Sequence, residues 1–176
     1  MNHSVYNELL DVVDKNDQVI GSEIRGKIHQ LGLMHRAVHI LVFNNENKLF
    51  IQKRSMSKDE NPGLWDTSAA GHLDSGEIYY DCAIRELNEE LGISIESTLA
   101  FIFRLEPTEL TGMEHCNVYQ CHYNGPIKLQ PEEIDEGKWI TADEMDQCVS
   151  SNDSDLTDVL RLIWQRYRQQ FTIPDS

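Results

Sequence analysis

A chain of 176 residues, 40% apolar and 26% charged, has the balance of a globular protein, and its length suits one core rather than two. The formal charge of −15 argues against a nucleic-acid partner, because such binding rests on Lys and Arg neutralising phosphates. No apolar run approaches the roughly 18–20 residues that cross a bilayer, and the start, MNHSVYNELLDVVD, lacks the layout of a secretory signal, so no membrane association and a cytoplasmic location are expected.

Two short strands are expected first, at residues 9–13 and 18–24 within an N-terminal stretch 8–24, joined by the turn-rich Asp14-Lys15-Asn16-Asp17. Residues 25–31 read as a helical turn ending at Gly32. Residues 37–43, AVHILVF, are apolar on both faces and suit a central strand. Asn44-Asn45-Glu46-Asn47 then turns the chain into 49–53, its expected hairpin partner, and a loop over 55–63 carries Lys58, Asp59 and Pro62-Gly63. Residues 64–70 lead to Gly71. Beyond Ile93, strands are expected at 98–105, 116–123 and 139–140, with a loop at 106–114. Thr141 and Glu144 have the spacing of a capping box. Leu156, Val159, Leu160, Ile163, Trp164, Tyr167 and Phe171 share one stripe of a C-terminal helix over 154–172, which either packs on a sheet or forms a homodimer face. With no repeat or linker, a single domain over 1–176 is expected.

The chemistry concentrates between Gly71 and Ile93, in GHLDSGEIYYDCAIRELNEELGI. On a helix, positions three and four apart are neighbours, so Glu86 meets both Glu89 and Glu90. Like charges at that spacing cost roughly 0.2–0.5 kcal/mol per pair. A divalent cation removes the conflict, and Mg²⁺ takes oxygen ligands and commonly bridges carboxylates to substrate phosphates. Asp74 or Ser75 is expected to cap the helix, with Glu77 in its first turn against the positive end of the dipole. Glu77, Asp81, Arg85 and Glu89 follow at four-residue steps, a ladder suited to holding Arg85. Ile78, Ala83, Ile84, Leu87 and Leu91 supply apolar surface, and Gly92 suits the left-handed residue that ends a helix.

Elsewhere, Lys53 and Arg54 close a strand, and Arg54 either pairs with a phosphate or is a surface cation. Trp65 either stacks on a substrate base or packs in the core. His35 and His39 share a strand face with Ala37, as ligands or as core residues. The four cysteines, Cys82, Cys116, Cys121 and Cys148, form no CxxC, and reduced thiols are expected. The run from His115 to His122 suggests zinc, but Cys116 and Cys121 point to opposite faces of a strand.

Gly71, five residues, Glu77, seven residues, then Arg85-Glu86-Leu87-Asn88-Glu89-Glu90-Leu91-Gly92-Ile93 resembles the Nudix box at every defining position. The resemblance implies an α/β/α sandwich with a mixed sheet between helices. It also implies hydrolysis of the diphosphate linkage of a nucleotide derivative or other small diphosphate by metal-activated water, with Mg²⁺ or Mn²⁺. It points to Glu86, Glu89 and Glu90, joined by the Gly71 carbonyl, as metal ligands, with Arg85 beside them. The base varies within the family, and Glu89, Glu133 and Glu136 are candidates here.

A second resemblance covers His35-Arg36-Ala37, Val42-Phe43-Asn44, Lys53-Arg54-Ser55, Pro62-Gly63-Leu64-Trp65 and Gly71-His72, which are similar to isopentenyl-diphosphate isomerase, a branch of the same superfamily. That enzyme's proton-transferring cysteine falls on Ala70, which cannot titrate. Of its five metal ligands, His35, His72 and Glu114 are matched, while Ile28 (beside His29) and Gly112 occupy the others. A hydrolase is therefore expected, with an isomerase-like enzyme or a non-catalytic ligand-binding protein as alternatives.

Overall fold

The computed structural model describes residues 7–95 and 99–171. The expected strand start at 98 and helix end at 172 lie outside them, as do residues 1–6. The chain runs β1 (Leu9–Val13), β2 (Val19–Ile24), α1 (Arg25–Leu31), β3 (His35–Phe43), β4 (Leu49–Arg54), β5 (Trp65–Asp66), β6 (Ala69–His72), α2 (Tyr79–Leu91), β7 (Ala100–Leu105), a 3₁₀ turn (Glu109–Thr111), β8 (Glu114–His122), β9 (Ile134–Ile140), α3 (Ala142–Ser150) and α4 (Asp158–Gln170).

β3 is the spine of a seven-stranded sheet of order β5-β4-β3-β8-β7, with β6 against β3 and β9 against β4. β3 and β8 run parallel over their full length, and every other pairing is antiparallel, so the sheet is mixed. β1 and β2 form a separate hairpin. The expected hairpin of β3 with β4 holds only at Phe43 and Leu49, because β6 takes the adjoining flank of β3 from Ala37 to Ile40. Ser68 spans the resulting gap: its Oγ accepts from Val42 N at 2.8 Å and donates to the Phe50 carbonyl. β4 pairs instead along β9, whose polar, solvent-facing Asp135, Glu136 and Lys138 hid it from the pattern; Glu136 therefore sits in a strand opposite Lys53, not in a loop.

Alternation along β3 sorts the core into two faces. Val38, Ile40 and Val42 pack with Cys82, Ala83, Leu87 and Leu91 of α2. Ala37, Leu41 and Phe43 pack with Met145 of α3 and Leu160, Ile163, Trp164 and Tyr167 of α4. Helices thus cover both faces of a mixed sheet, the expected sandwich. Leu160, Ile163, Trp164 and Tyr167 of the α4 stripe are buried on that sheet, and Phe171, beyond the helix, is exposed. Cys116 and Cys121 fall on opposite faces, as the alternation requires. No helix among the described residues is long and apolar enough to cross a membrane.

α2 begins later than expected. Its N-cap is Ile78, with no side-chain cap. Glu77 takes the Asp74 N–H at 3.0 Å and, with Gly76 at φ 82°, closes a turn that delays the helix. Neither Asp74 nor Ser75 caps it, Glu77 lies ahead of its first turn, and Ile78 is 59% exposed rather than buried. The other end is as expected: Gly92 has φ 64°, its N–H donates to the Asn88 carbonyl and the Ile93 N–H to that of Leu87. In α3, Thr141 and Glu144 form a reciprocal capping box.

Candidate functional site

The 3.6-residue repeat of α2 turns Glu86 and Glu90 inward beside Leu87 and Leu91, leaving Glu89 outside. Glu86 and Glu90 are 9% and 5% exposed, whereas the Glu89 side chain is 58% exposed. Burial pushes the Glu86 carboxyl well up, and the charge of Glu90 adds to it. Burial likewise pushes Glu90 up, to about 7, against the opposing pull of Lys58 and of hydrogen bonds from Ala70 N and Gln52. Two buried acids on adjacent helical turns repel when ionised and are costly to desolvate. An oxygen-ligated dication fits this donor set on both counts.

Arg85 arranges the patch. It donates to both oxygens of Glu77 at 2.9 and 2.8 Å, to Glu86 Oε1 at 2.7 Å, to Glu89 Oε2 at 3.2 Å and to the His72 carbonyl at 3.1 Å. The hydrogen bonding it gives Glu77 is the largest influence holding the guanidinium charged. Asp81, the remaining rung of the expected ladder, takes no part in these contacts. Gly71 is required here by close approach: a Cβ would collide with the Glu86 carboxylate.

These acids form one wall of a cavity of about 890 Å³. Its cations are Arg25, Arg54, Lys58 and Arg85. Arg54 is steadied by Asp66 Oδ2 at 3.2 Å and the Glu60 carbonyl at 3.1 Å. Lys58 is ion-paired with Glu133, joining the 55–63 loop to the segment before β9. Lys53 and Trp65 do not line the cavity. Trp65 packs on the α4 side of the core, and Lys138 lies 4.2 Å from its ring centre. His35 is also outside the lining, buried behind it. His39 does line the cavity, with Nδ1 2.7 Å from Thr67 Oγ1, and stands in register with Ala70. Arg25 and Lys58 carried no pattern in the sequence; only the fold brings them to this cavity.

Beside the carboxylates, His29, His35 and His72 bring ligand atoms within 4.8 Å of one another. His35 Nδ1 lies 2.9 Å from the Leu33 carbonyl and its Nε2 3.5 Å from Glu114 Oε1; His29 Nδ1 is 2.8 Å from Glu60, while its Nε2 is buried without a partner. His72 Nε2 is 2.9 Å from Glu114 Oε1. Burial holds His72 down to about 4. Burial opposes the Glu114 charge, yet hydrogen bonds from His35 and His72 keep its carboxyl well below the usual range. Three imidazoles converging beside an ionised carboxylate, with His29 Nε2 unpartnered, suit a transition-metal ion. His29, the neighbour of Ile28, stands in this group with His35 and His72.

An α/β sandwich presenting an acidic helix to a deep cavity is the class of protein these observations define. The NUDIX domain family matches residues 33–160. An uncharacterized Nudix hydrolase of Pseudomonas aeruginosa is 39% identical over 133 residues, 76% of this chain and 78% of its own. The isopentenyl-diphosphate Delta-isomerase of Serratia proteamaculans is 33% identical over 153 residues, 85% of this chain and 86% of its own. A crystal structure of a Deinococcus radiodurans protein matches with a TM-score of 0.78 at 25% identity, covering 90% of this chain and 98% of that one. The chain belongs to the Nudix family, as a Nudix hydrolase related to the isomerase branch.

Proposed function

We propose that the protein, acting as one domain, hydrolyses the diphosphate linkage of a small metabolite or nucleotide derivative with the help of Mg²⁺ or Mn²⁺. The observation that carries this reading is the pair of buried carboxylates, Glu86 and Glu90, facing a cavity that also holds Arg25, Arg54 and Lys58. Glu86, Glu90, the outer Glu89 and the Gly71 carbonyl would hold the cation. When bound, it supplies positive charge to the phosphoryl oxygens and lowers the pKa of water.

The chain's own groups do the rest. Arg85 orients Glu86, and Arg54 and Lys58 draw the phosphates to the acidic wall. Glu89 and Glu133 are the candidate bases: Glu89 is solvent-facing and tethered by Arg85, and Glu133 is tethered by Lys58. Diphosphate binding would release Glu133 as Lys58 turns to the phosphate. The histidine cluster is a place for a second cation.

Isomerisation of an isoprenoid diphosphate is a second reading, favoured by that cluster and by the relative of that name, and opposed by Ala70. The test is release of phosphomonoesters, phosphate or pyrophosphate, with and without Mg²⁺, from nucleotide sugars, dinucleotide cofactors, coenzyme A, oxidised nucleoside triphosphates and isopentenyl diphosphate. Metal-dependent release from one of them supports hydrolysis. Double-bond migration in isopentenyl diphosphate without release would replace it by the second reading.

A further inference from the structure

We infer that Gln52, which lies outside the signature of residues 71–93, is a positioning residue for Glu90 that fixes which carboxylate oxygen is offered to the cation. The inference rests on Glu90 being a cation ligand.

Gln52 lies in β4 between Asp66 of β5 and Gly137 of β9, and is 2% exposed. Its strand neighbours Leu49, Phe50 and Ile51 are buried and apolar, and an apolar side chain is the default at such a position. A buried amide costs stability unless its hydrogens are used. Here both are: Nε2 donates to Glu90 Oε2 at 2.9 Å and to the Ser68 carbonyl at 3.3 Å. Ala70 N, from β6, gives Oε2 a second hydrogen bond at 3.1 Å. Two donors on two strands therefore saturate Oε2, and Oε1 is left to the cavity. Arg85 does the same for Glu86 by engaging its Oε1. Each carboxylate then presents one free oxygen in a fixed direction.

Loss of such an outer partner typically weakens metal affinity by about 10–100-fold. The experiment is a substrate-free Mn²⁺ titration of the full chain by electron paramagnetic resonance, comparing wild type with Gln52→Met and using Glu90→Gln to isolate the Glu90-dependent site. The expected result is a Kd for that site weakened by about 10–100-fold in Gln52→Met. Hydrolysis should then recover as Mg²⁺ is raised, with the substrate KM at saturating metal unchanged. A Kd within twofold of wild type, or lost activity that added metal does not restore, would overturn the inference. If the Met variant does not fold, Gln52→Asn, which keeps the amide but shortens its reach, is judged by the same criteria. Wild type without any Glu90-dependent Mn²⁺ binding would overturn the ligand role of Glu90 and this inference with it. Intact wild-type binding that is unchanged in the variant overturns Gln52 alone.

Discussion

Replacing Glu90 by Gln should stabilise the metal-free protein while disabling it. A carboxyl whose folded pKa lies above its unfolded value contributes stability below the unfolded value, and loses it as pH rises through the folded one. For Glu90 the window runs from 4.5 to about 7, so its ionisation at pH 8 costs the fold roughly 3 kcal/mol. Gln has nearly the same shape, carries no charge, and its amide oxygen can accept the hydrogen bonds from Gln52 and Ala70. The variant should therefore be up to about 3 kcal/mol more stable than wild type at pH 8 in EDTA, with a gap of roughly 1 kcal/mol at pH 5.5. Glu86, also pushed up, makes metal-free wild type lose further stability over the same rise in pH. Urea unfolding at the two pH values measures both gaps. Mg²⁺ should stabilise wild type at pH 8 far more than the variant. A variant no more stable than wild type at pH 8, or a gap independent of pH, refutes the reasoning.

Three further substitutions have defined outcomes. Gly71→Ala places a methyl group where the Glu86 carboxylate lies, so turnover should fall by at least ~10-fold with unchanged circular dichroism; unchanged Mg²⁺-dependent kinetics would contradict the cradle. Arg85→Lys replaces a planar fork serving Glu77, Glu86, Glu89 and the His72 carbonyl with a point charge of three donors. It should cost about 1–3 kcal/mol of unfolding free energy, read by urea titration, and a wild-type value would show the network to be idle. Thr141→Ala removes the α3 cap and should cost about 1 kcal/mol without altering turnover at saturating metal.

What the sequence made legible is what rests on local periodicity. β3 was readable because both its faces are apolar, α4 because its stripe repeats at helical spacing, and the Glu86–Glu90 patch because both acids lie on one helix. What it hid depends on which strands meet. The insertion of β6 beside β3 and the delayed start of α2 involve Ser68 and Glu77, whose partners are tertiary or turn-specific, and the long pairing of β9 with β4 runs through polar, solvent-facing residues. The contact of Gln52 with Glu90 spans 38 positions and leaves no pattern in either segment. Trp65 read as a core residue or a stacking platform, with core packing favoured, and it packs against the core. The resemblance fell on Ile28 with His29 beside it, and the α1 turn ending at Gly32 brings His29 to the cluster.

The most direct test is the Mg²⁺ dependence of diphosphate hydrolysis by wild type and Glu90→Gln, each verified as folded. Turnover by wild type should vanish in EDTA and return with Mg²⁺, and the variant should lose at least ~100-fold at any Mg²⁺ concentration. Metal-independent turnover, or a variant as fast as wild type, would contradict the assignment of the buried carboxylates to the chemistry.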